Sequence, residues 1–363
     1  MKRKTALCLA AAMVLSLTLF AHAAGGDSSD PLVSLSYLTG IFTKNAEARI
    51  EEKLDASDAA LLGSAGEDGS LSAGTSLWTE QRLKESDVLT APTGTSVLVL
   101  AGRVQVSFAA GAVIDVTTGT AVSSGTVLSL NHRYMAAEDT SALFTVLSKT
   151  AVVDYQGSCV FTLSAATDYN AMAAALKTLH LFKGSFTGYG QGFDLEAAPT
   201  RLQALIMFIR VLGEEDEALS WSGTTPFTDI VPGTQAAQYV GYAYSKGYTN
   251  GYTPTSFKPA GAVNAWQYTE FILRAMGYSS AANTNLADTL TRAQDAGILT
   301  AGEAEMLQKD PFLRAELVYI SYYALDASMA GSRKTLGDVL EYKGIFTAAE
   351  RSQAWSMVPG SRK

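Results

Sequence analysis

The chain is poor in the side chains that most catalytic and metal chemistry requires. Its 363 residues include three histidines and two cysteines. Cys8 falls within an N-terminal apolar run, which leaves Cys159 alone in the rest of the chain. One cysteine makes no internal disulfide, so the fold must rest on hydrophobic burial. Cys159 sits in the strand-like run Ser158-Cys159-Val160-Phe161-Thr162-Leu163 and reads as a buried small apolar residue. Beyond His22, the imidazoles are His132, at the start of a strand pattern, and His180, near the end of a helical one. Two histidines without a cysteine cluster leave little for zinc, and no metal site is expected. The chain also has no Gly-x-Ser-x-Gly turn, no Gly-x-x-x-x-Gly-Lys loop and no His-Glu-x-x-His. No catalytic residue and no cofactor is nominated, so the expectation is a protein that is not an enzyme. Paired carboxylates for glycoside hydrolysis converge in space and leave no sequence trace. Glu214-Glu215-Asp216 reads as a solvated turn after Gly213.

Positive charge is scarce as well. The formal net charge is −8, and no basic patch offers the phosphate neutralisation that nucleic-acid binding needs, so no nucleic-acid partner is expected. Long apolar runs are confined to Ala6–Phe20, preceded by Lys2-Arg3-Lys4 and followed by Ala21-His22-Ala23. That is the pattern of a secretory signal peptide over residues 1–23, too short in its apolar part for a membrane span. Its removal takes three basic residues and moves the charge from −8 to −11. No later stretch is long and apolar enough to cross a bilayer, so no membrane span is expected after signal removal, and the mature chain is expected outside the cell.

What the sequence does contain is a change of period. Residues 24–62 carry apolar positions at helical spacing (Leu32, Leu35, Leu38, Ile41, Ile50, Leu54), and 63–76 is a Gly/Ser/Asp/Glu-rich linker. From 77 to 165 short runs rich in β-branched residues follow one another with no helix between them. They include Val97–Leu100, Val104–Phe108, Val113–Val116, Thr126–Leu128, Tyr134–Ala136, Phe144–Leu147 and Ala151–Tyr155. Such a series predicts an antiparallel sandwich, barrel or roll. The stretch from Asp87 to Gly102, with Pro92-Thr93-Gly94, resembles FecR-like β-domains over a length that implies a β-module and no function. The predicted fold class is α+β: an N-terminal helical segment, an antiparallel β-rich module and an all-α C-terminal body.

That body is written as one unit repeated. Copies are read at 166–225, 226–280 and, shortened, 281–330, with a tail over 331–363. The middle copy is the clearest. Phe227-Thr228-Asp229 precedes a helix pattern over Gln235–Lys246. Then come the loop Gly247-Tyr248-Thr249-Asn250-Gly251-Tyr252, Phe257-Lys258-Pro259, and a second helix pattern from Val263 to Met276. Phe193/Phe257, Arg210/Arg274 and Gly213/Gly277 share an offset of 64. A helix–loop–helix unit of this size cannot bury its apolar face alone, so the copies must pack on one another.

These motifs resemble the S-layer homology (SLH) family over residues 169–327. The carriers are Phe227-Thr228-Asp229, Gly247–Tyr252, Phe257-Lys258-Pro259 and three helix openings: Pro199-Thr200-Arg201-Leu202-Gln203, Val263-Asn264-Ala265-Trp266-Gln267 and Leu313-Arg314-Ala315-Glu316. The resemblance implies a compact three-repeat helical body that binds secondary cell-wall polymer, a peptidoglycan-linked glycan. It also implies a secreted, cell-surface protein held non-covalently on the wall. By the same resemblance Arg201 and Arg314 contact acidic substituents of the polymer, with Thr200, Gln203, Glu316, Gly247 and Gly251 around them. Copy two has Ala265 where arginine is expected. A helix N-terminus with its unpaired N–H groups also favours an anion. Tyr248 and Tyr252 are candidates to stack on a sugar, and Thr291-Arg292-Ala293-Gln294 reads as an imitation of the motif inside a helix. The other function class is a wall-tethered enzyme or solute-binding protein whose site lies in the β-rich module.

Overall fold

The computed structural model describes residues 78–184, 193–280, 285–358 and 362. The signal peptide, the helical segment 24–62 and the linker 63–76 lie outside them. All described residues belong to one compact unit. The chain is α+β, with a β-rich module followed by a helical region.

Residues 79–162 form ten antiparallel strands in two sheets. The six-stranded sheet has the order β1-β9-β3-β7-β5-β6, from β1 (Thr79–Lys84), β3 (Ser96–Ala101), β5 (Val113–Asp115), β6 (Thr120–Val122), β7 (Arg133–Ala136) and β9 (Thr150–Gln156). The other runs β10-β2-β8-β4, with β2 (Val88–Pro92), β4 (Val104–Ser107), β8 (Ser141–Val146) and β10 (Val160–Thr162). Alternation of apolar and polar residues sends one face of each sheet inward. Leu89, Ala142, Phe144, Val104 and Val106 from one sheet share a core with Leu83, Val97, Val99, Val153 and Tyr134 from the other. The outcome is a sandwich. Thr126–Leu128, expected as a strand, instead closes the edge of β4 through Val106 N–H to Thr126 O (3.0 Å) and Leu128 N–H to Val104 O (2.8 Å). Cys159 is half-buried against this core rather than fully buried.

Ten helices follow. They are α1 (Tyr169–Thr178), α2 (Arg201–Val211), α3 (Glu215–Leu219), α4 (Gln235–Ser245), α5 (Ala265–Ala275), α6 (Thr289–Asp295), α7 (Ala301–Lys309), α8 (Arg314–Ala324), α9 (Leu336–Tyr342) and α10 (Ala348–Ser356). Seven of their starts are set by short polar side chains that accept from the first-turn N–H groups: Asp168, Thr200, Thr234, Asn264, Thr300, Thr335 and Thr347. Three helices, α2, α5 and α8, are each 11 residues long and pack pairwise on one another. Phe208, Tyr268, Phe271, Val318 and Ile320 of these helices are buried in one shared core.

Two expectations are corrected here. The stretch 331–363, read as a tail, carries α9 and α10, and Leu336, Leu340, Phe346 and Ala354 are buried in the same core. Of the Glu214–Asp216 stretch, read as a solvated turn, only Asp216 is exposed: Glu214 accepts from the hydroxyls of Tyr242 and Tyr248, both at 3.0 Å, and Glu215 from Tyr239 at 2.6 Å. Arg292, read as imitating the motif, does lie within a helix, α6, and binds Glu270. His180 takes a left-handed backbone (φ 62°) just past α1 and reaches Glu350 at 3.1 Å.

The module docks on the helices through few contacts. Lys149 pairs with Glu316 and with Asp310 at 2.8 Å. The Arg82 guanidinium lies 4.8 Å from the Phe193 ring centre, and Asn170 Nδ2 donates to Leu83 O at 3.2 Å.

Candidate functional site

The loop between α4 and α5 is built around one carboxylate. Asp229, from Phe227-Thr228-Asp229, accepts from Ser256 Oγ (2.8 Å), Phe257 N–H (2.9 Å) and Lys258 N–H (2.7 Å). Burial raises its pKa, but the bonds from Phe257 and Lys258 outweigh that and hold it below the usual carboxylate range. The aspartate thus pins the Phe257-Lys258-Pro259 turn. Gly251 is required by geometry: its φ is +81°, and a Cβ would stand 2.3 Å from Phe227 Cε1 and 2.6 Å from Thr253 O. Its carbonyl is thereby turned toward Arg201, whose Nη2 donates to it at 3.2 Å.

Arg201 is the first residue of α2 and is 5 % exposed. Its guanidinium lies 5.0 Å from the Phe257 ring and 5.5 Å from the Phe271 ring, and its Nε has no partner. The side chain lines an open cleft of about 440 Å³ with Gly251, Tyr252, Gln267, Arg274 and Leu286. Burial, followed by the like charge of Arg274, brings the Arg201 pKa down to about 10, so the group remains charged at neutral pH. Glu270 sits beneath, 2 % exposed, bonded to Arg274 (3.0 Å), Arg292 (2.7 Å) and Ser279 (2.6 Å).

Arg314, the first residue of α8, lines a second and narrower pocket of about 140 Å³ with Phe182, Lys183, Gln203, Met207 and Arg210. Its carbon Cζ is 6.0 Å from the Phe182 ring centre, and its Nε is buried without a partner. Burial lowers its pKa, with Asp194 opposing and Arg210 adding to the shift. Arg210 and Lys183 both bind Glu215.

The remaining expected residues divide differently. Thr200 and Gln203 form a reciprocal cap at the start of α2, and Gln203 reaches the Arg314 pocket while Thr200 does not line it. Glu316 is turned away: it is 1 % exposed, accepts from Leu313 N–H at 2.7 Å and pairs with Lys149 of the β-module. Gly247 (φ +71°) ends α4 and lines neither pocket. Ala265 is buried at 1 % exposure, so the opening of α5 is filled by packing. Tyr252 is 54 % exposed on the rim, with Lys258 Nζ 3.6 Å from its ring centre. Tyr248 instead binds Glu214 and sets its edge on Phe208.

The helix N-termini are not open anion sites. Arg201 N–H bonds Gly261 O (2.8 Å) and Leu202 N–H bonds Pro259 O (3.0 Å); Arg314 N–H bonds Ala197 O (2.9 Å) and Ala315 N–H bonds Leu195 O (3.1 Å). Any anion in these pockets meets guanidinium groups rather than free backbone N–H. Sequence reading named neither Arg274 nor Glu270 as site residues, although the shared offset of Arg210 and Arg274 was a signal for one of them.

In the β-module a shallow hollow of about 240 Å³ is lined by Asp115, Ser123, Thr126, Ser129 and Tyr134. His132 Nδ1 meets Asp115 Oδ2 at 2.8 Å, and Asp115 Oδ1 accepts from the N–H groups of Thr117 and Thr118 at 3.0 and 3.3 Å. Tyr134 OH is bound by Ser129 N–H at 2.8 Å. These polar groups thus satisfy one another. Among the described residues no group of three or more His, Cys, Asp or Glu is placed to hold a metal ion, and no helix is long and apolar enough to cross a membrane.

Residues 226–264 match the S-layer homology domain family. The match covers one copy, the one that supplies Asp229, Gly251 and Tyr252, and it marks a domain associated with cell walls and cell surfaces. No curated protein matches the chain. Among solved structures, procruciferin, an 11S globulin from Brassica napus, is similar at 10 % identity over 28 % of this chain and 27 % of its own, with a TM-score of 0.17. Pumpkin seed globulin is similar at 11 % identity over 28 % of each chain, with a TM-score of 0.16. The chain spans roughly a quarter of these globulins, and likeness at that level assigns nothing.

Proposed function

We propose that the chain is an exported, non-catalytic cell-surface protein. Its three SLH-like repeats hold it on the wall by binding secondary cell-wall polymer, with the β-module as the displayed part. The observation that carries this reading is the Arg201 guanidinium, 95 % buried yet lining an open cleft with its Nε unpartnered, beside Gly251 and Tyr252 of the matched SLH domain. A desolvated guanidinium with spare donors holds a carboxylate or phosphate in fork geometry. Tyr252, Phe271 and Leu286 offer apolar walls to a sugar ring. Arg314 repeats the arrangement in the second pocket.

The test is sedimentation of the mature protein with purified cell walls, with and without their acid-labile polymer. Losing a charge-assisted contact weakens binding by about 1.5–3 kcal/mol, roughly tenfold or more per site. Arg201→Ala with Arg314→Ala is expected to release the protein while circular dichroism shows unchanged helix content. Retention of a folded double variant at the parent's level would overturn the reading.

A further inference from the structure

The two pockets share a feature beyond their first-turn arginines. Helices α2, α5 and α8 place a second position nine residues on from their first, near the C-terminal end: Arg210 in α2, Arg274 in α5 and Tyr323 in α8. Arg201 of α2 shares its cleft with Arg274 of α5, and Arg314 of α8 shares its pocket with Arg210 of α2. Each pocket thus joins the start of one helix to the end of another. The one remaining combination, Ala265 with Tyr323, has an arginine at neither position.

We propose that each ligand site is a two-arginine clamp assembled across two copies, Arg201 with Arg274 and Arg314 with Arg210, so that the chain holds two anionic groups and not three. The ligand group this fits is a carboxylate or phosphate substituent with at least two acceptor oxygens, bridging one fork from each helix. The proposal deepens the wall-binding reading and rests on it.

Charge and hydrogen bonding support the clamp. The second arginine is oriented by a glutamate: Arg274 Nε by Glu270 at 3.0 Å and Arg210 Nε by Glu215 at 2.7 Å. Each glutamate is shared with another cation, Arg292 in one case and Lys183 in the other. Both neighbourhoods therefore retain positive charge in a chain whose net charge is −8. Burial is the main cause that lowers both first-turn guanidinium pKa values, opposed at Arg314 by Asp194, and the like charge of Arg274 on Arg201 and of Arg210 on Arg314 adds to that pressure. A bound anion relieves it.

The experiment measures wall binding of Arg201→Gln, Arg274→Gln, Arg210→Gln and Arg274→Lys at several salt concentrations, with thermal midpoints to check folding. Expected are a roughly tenfold loss for Arg274→Gln and for Arg210→Gln, partial recovery in Arg274→Lys, and a flatter salt dependence in each charge-removing variant. A purely structural role for Arg274 would lower the thermal midpoint and leave the salt dependence alone. Tyr323→Phe is expected to bind like the parent. If Arg201→Gln weakens binding but folded Arg274→Gln and Arg210→Gln do not, the clamp is overturned while the wall-binding reading stands. If Arg201→Gln has no effect, that reading itself falls. Competition by sodium malonate or sodium phosphate, against chloride at equal ionic strength, separates a carboxylate from a phosphate source; competition by neither overturns the anion assignment.

Discussion

The Arg201 and Arg314 sites start from the same local design and diverge through what lies behind them. Both arginines open an 11-residue helix whose first N–H groups are bonded to a neighbouring loop. Behind Arg201 is the helical region itself, and the cleft is wide, with Glu270 buried at its base. Behind Arg314 is the β-module: two residues along the same helical turn, Glu316 is paired with Lys149. One site is thus an autonomous feature of the helical region, and the other is tied to the docking of a second architecture. The lesson is that matching first-turn positions need not be energetically equivalent, because a first turn has two sides and only one faces the pocket.

The largest expected effect separates these two backgrounds. Lys149→Met leaves Glu316, 1 % exposed, without its cation, and breaking a buried pair in this way is destabilising by about 3 kcal/mol. Differential scanning calorimetry should show the loss, and the added change Glu316→Gln should recover part of it, because the uncompensated charge is then gone. Binding through the Arg201 cleft should survive in the folded fraction. A Lys149→Met chain as stable as the parent would mean that the contact between module and helices is not the basis of the difference.

A second prediction contrasts the glycines of the matched domain. Gly251→Ala forces a side chain into a left-handed backbone and against Phe227, a strain of about 1–3 kcal/mol, and displaces the carbonyl that holds Arg201. Gly247→Ala carries the backbone penalty of a φ of +71° at a helix end, about 1 kcal/mol. Wall binding should fall in the first variant and hold in the second. Equal losses in both would show that Gly251 matters through stability alone.

Much of this was legible in sequence. The succession of short β-branched runs over residues 77–165, with no helix between them, marked the β-rich module, because such side chains fit a pleated, half-buried surface. Arg201 and Arg314 stand at first-turn positions as read. Direction was not legible. Nothing in Leu313-Arg314-Ala315-Glu316 says that the arginine points to a pocket and the glutamate to a lysine 167 positions earlier. Arg274 was visible as a repeated residue, but its partnership with Arg201 is a contact across copies. The helices in 331–363 had a local signal that went unused: Thr335 with Asp338 and Thr347 with Glu350 are both capping boxes.

The smallest predicted effect concerns acid and falls on the Arg314 side of the comparison. Burial alone would raise the Glu215 pKa, but hydrogen bonds from Lys183, Tyr239 and Arg210 outweigh it and bring the value from 4.5 down to about 2. A folded pKa below the unfolded one means that the ionised carboxylate stabilises the fold. That contribution is complete above about pH 4.5 and is lost as pH falls toward about 2. Protonation weakens the groups that position Arg210 and Lys183 around the Arg314 pocket, while the Arg201 cleft rests on Glu270 instead. Near-ultraviolet circular dichroism, followed from pH 5 to pH 2, should therefore show a stability slope in the parent that Glu215→Gln flattens. A slope of the same size in both proteins would assign the acid sensitivity to other carboxylates and remove this distinction between the two sites.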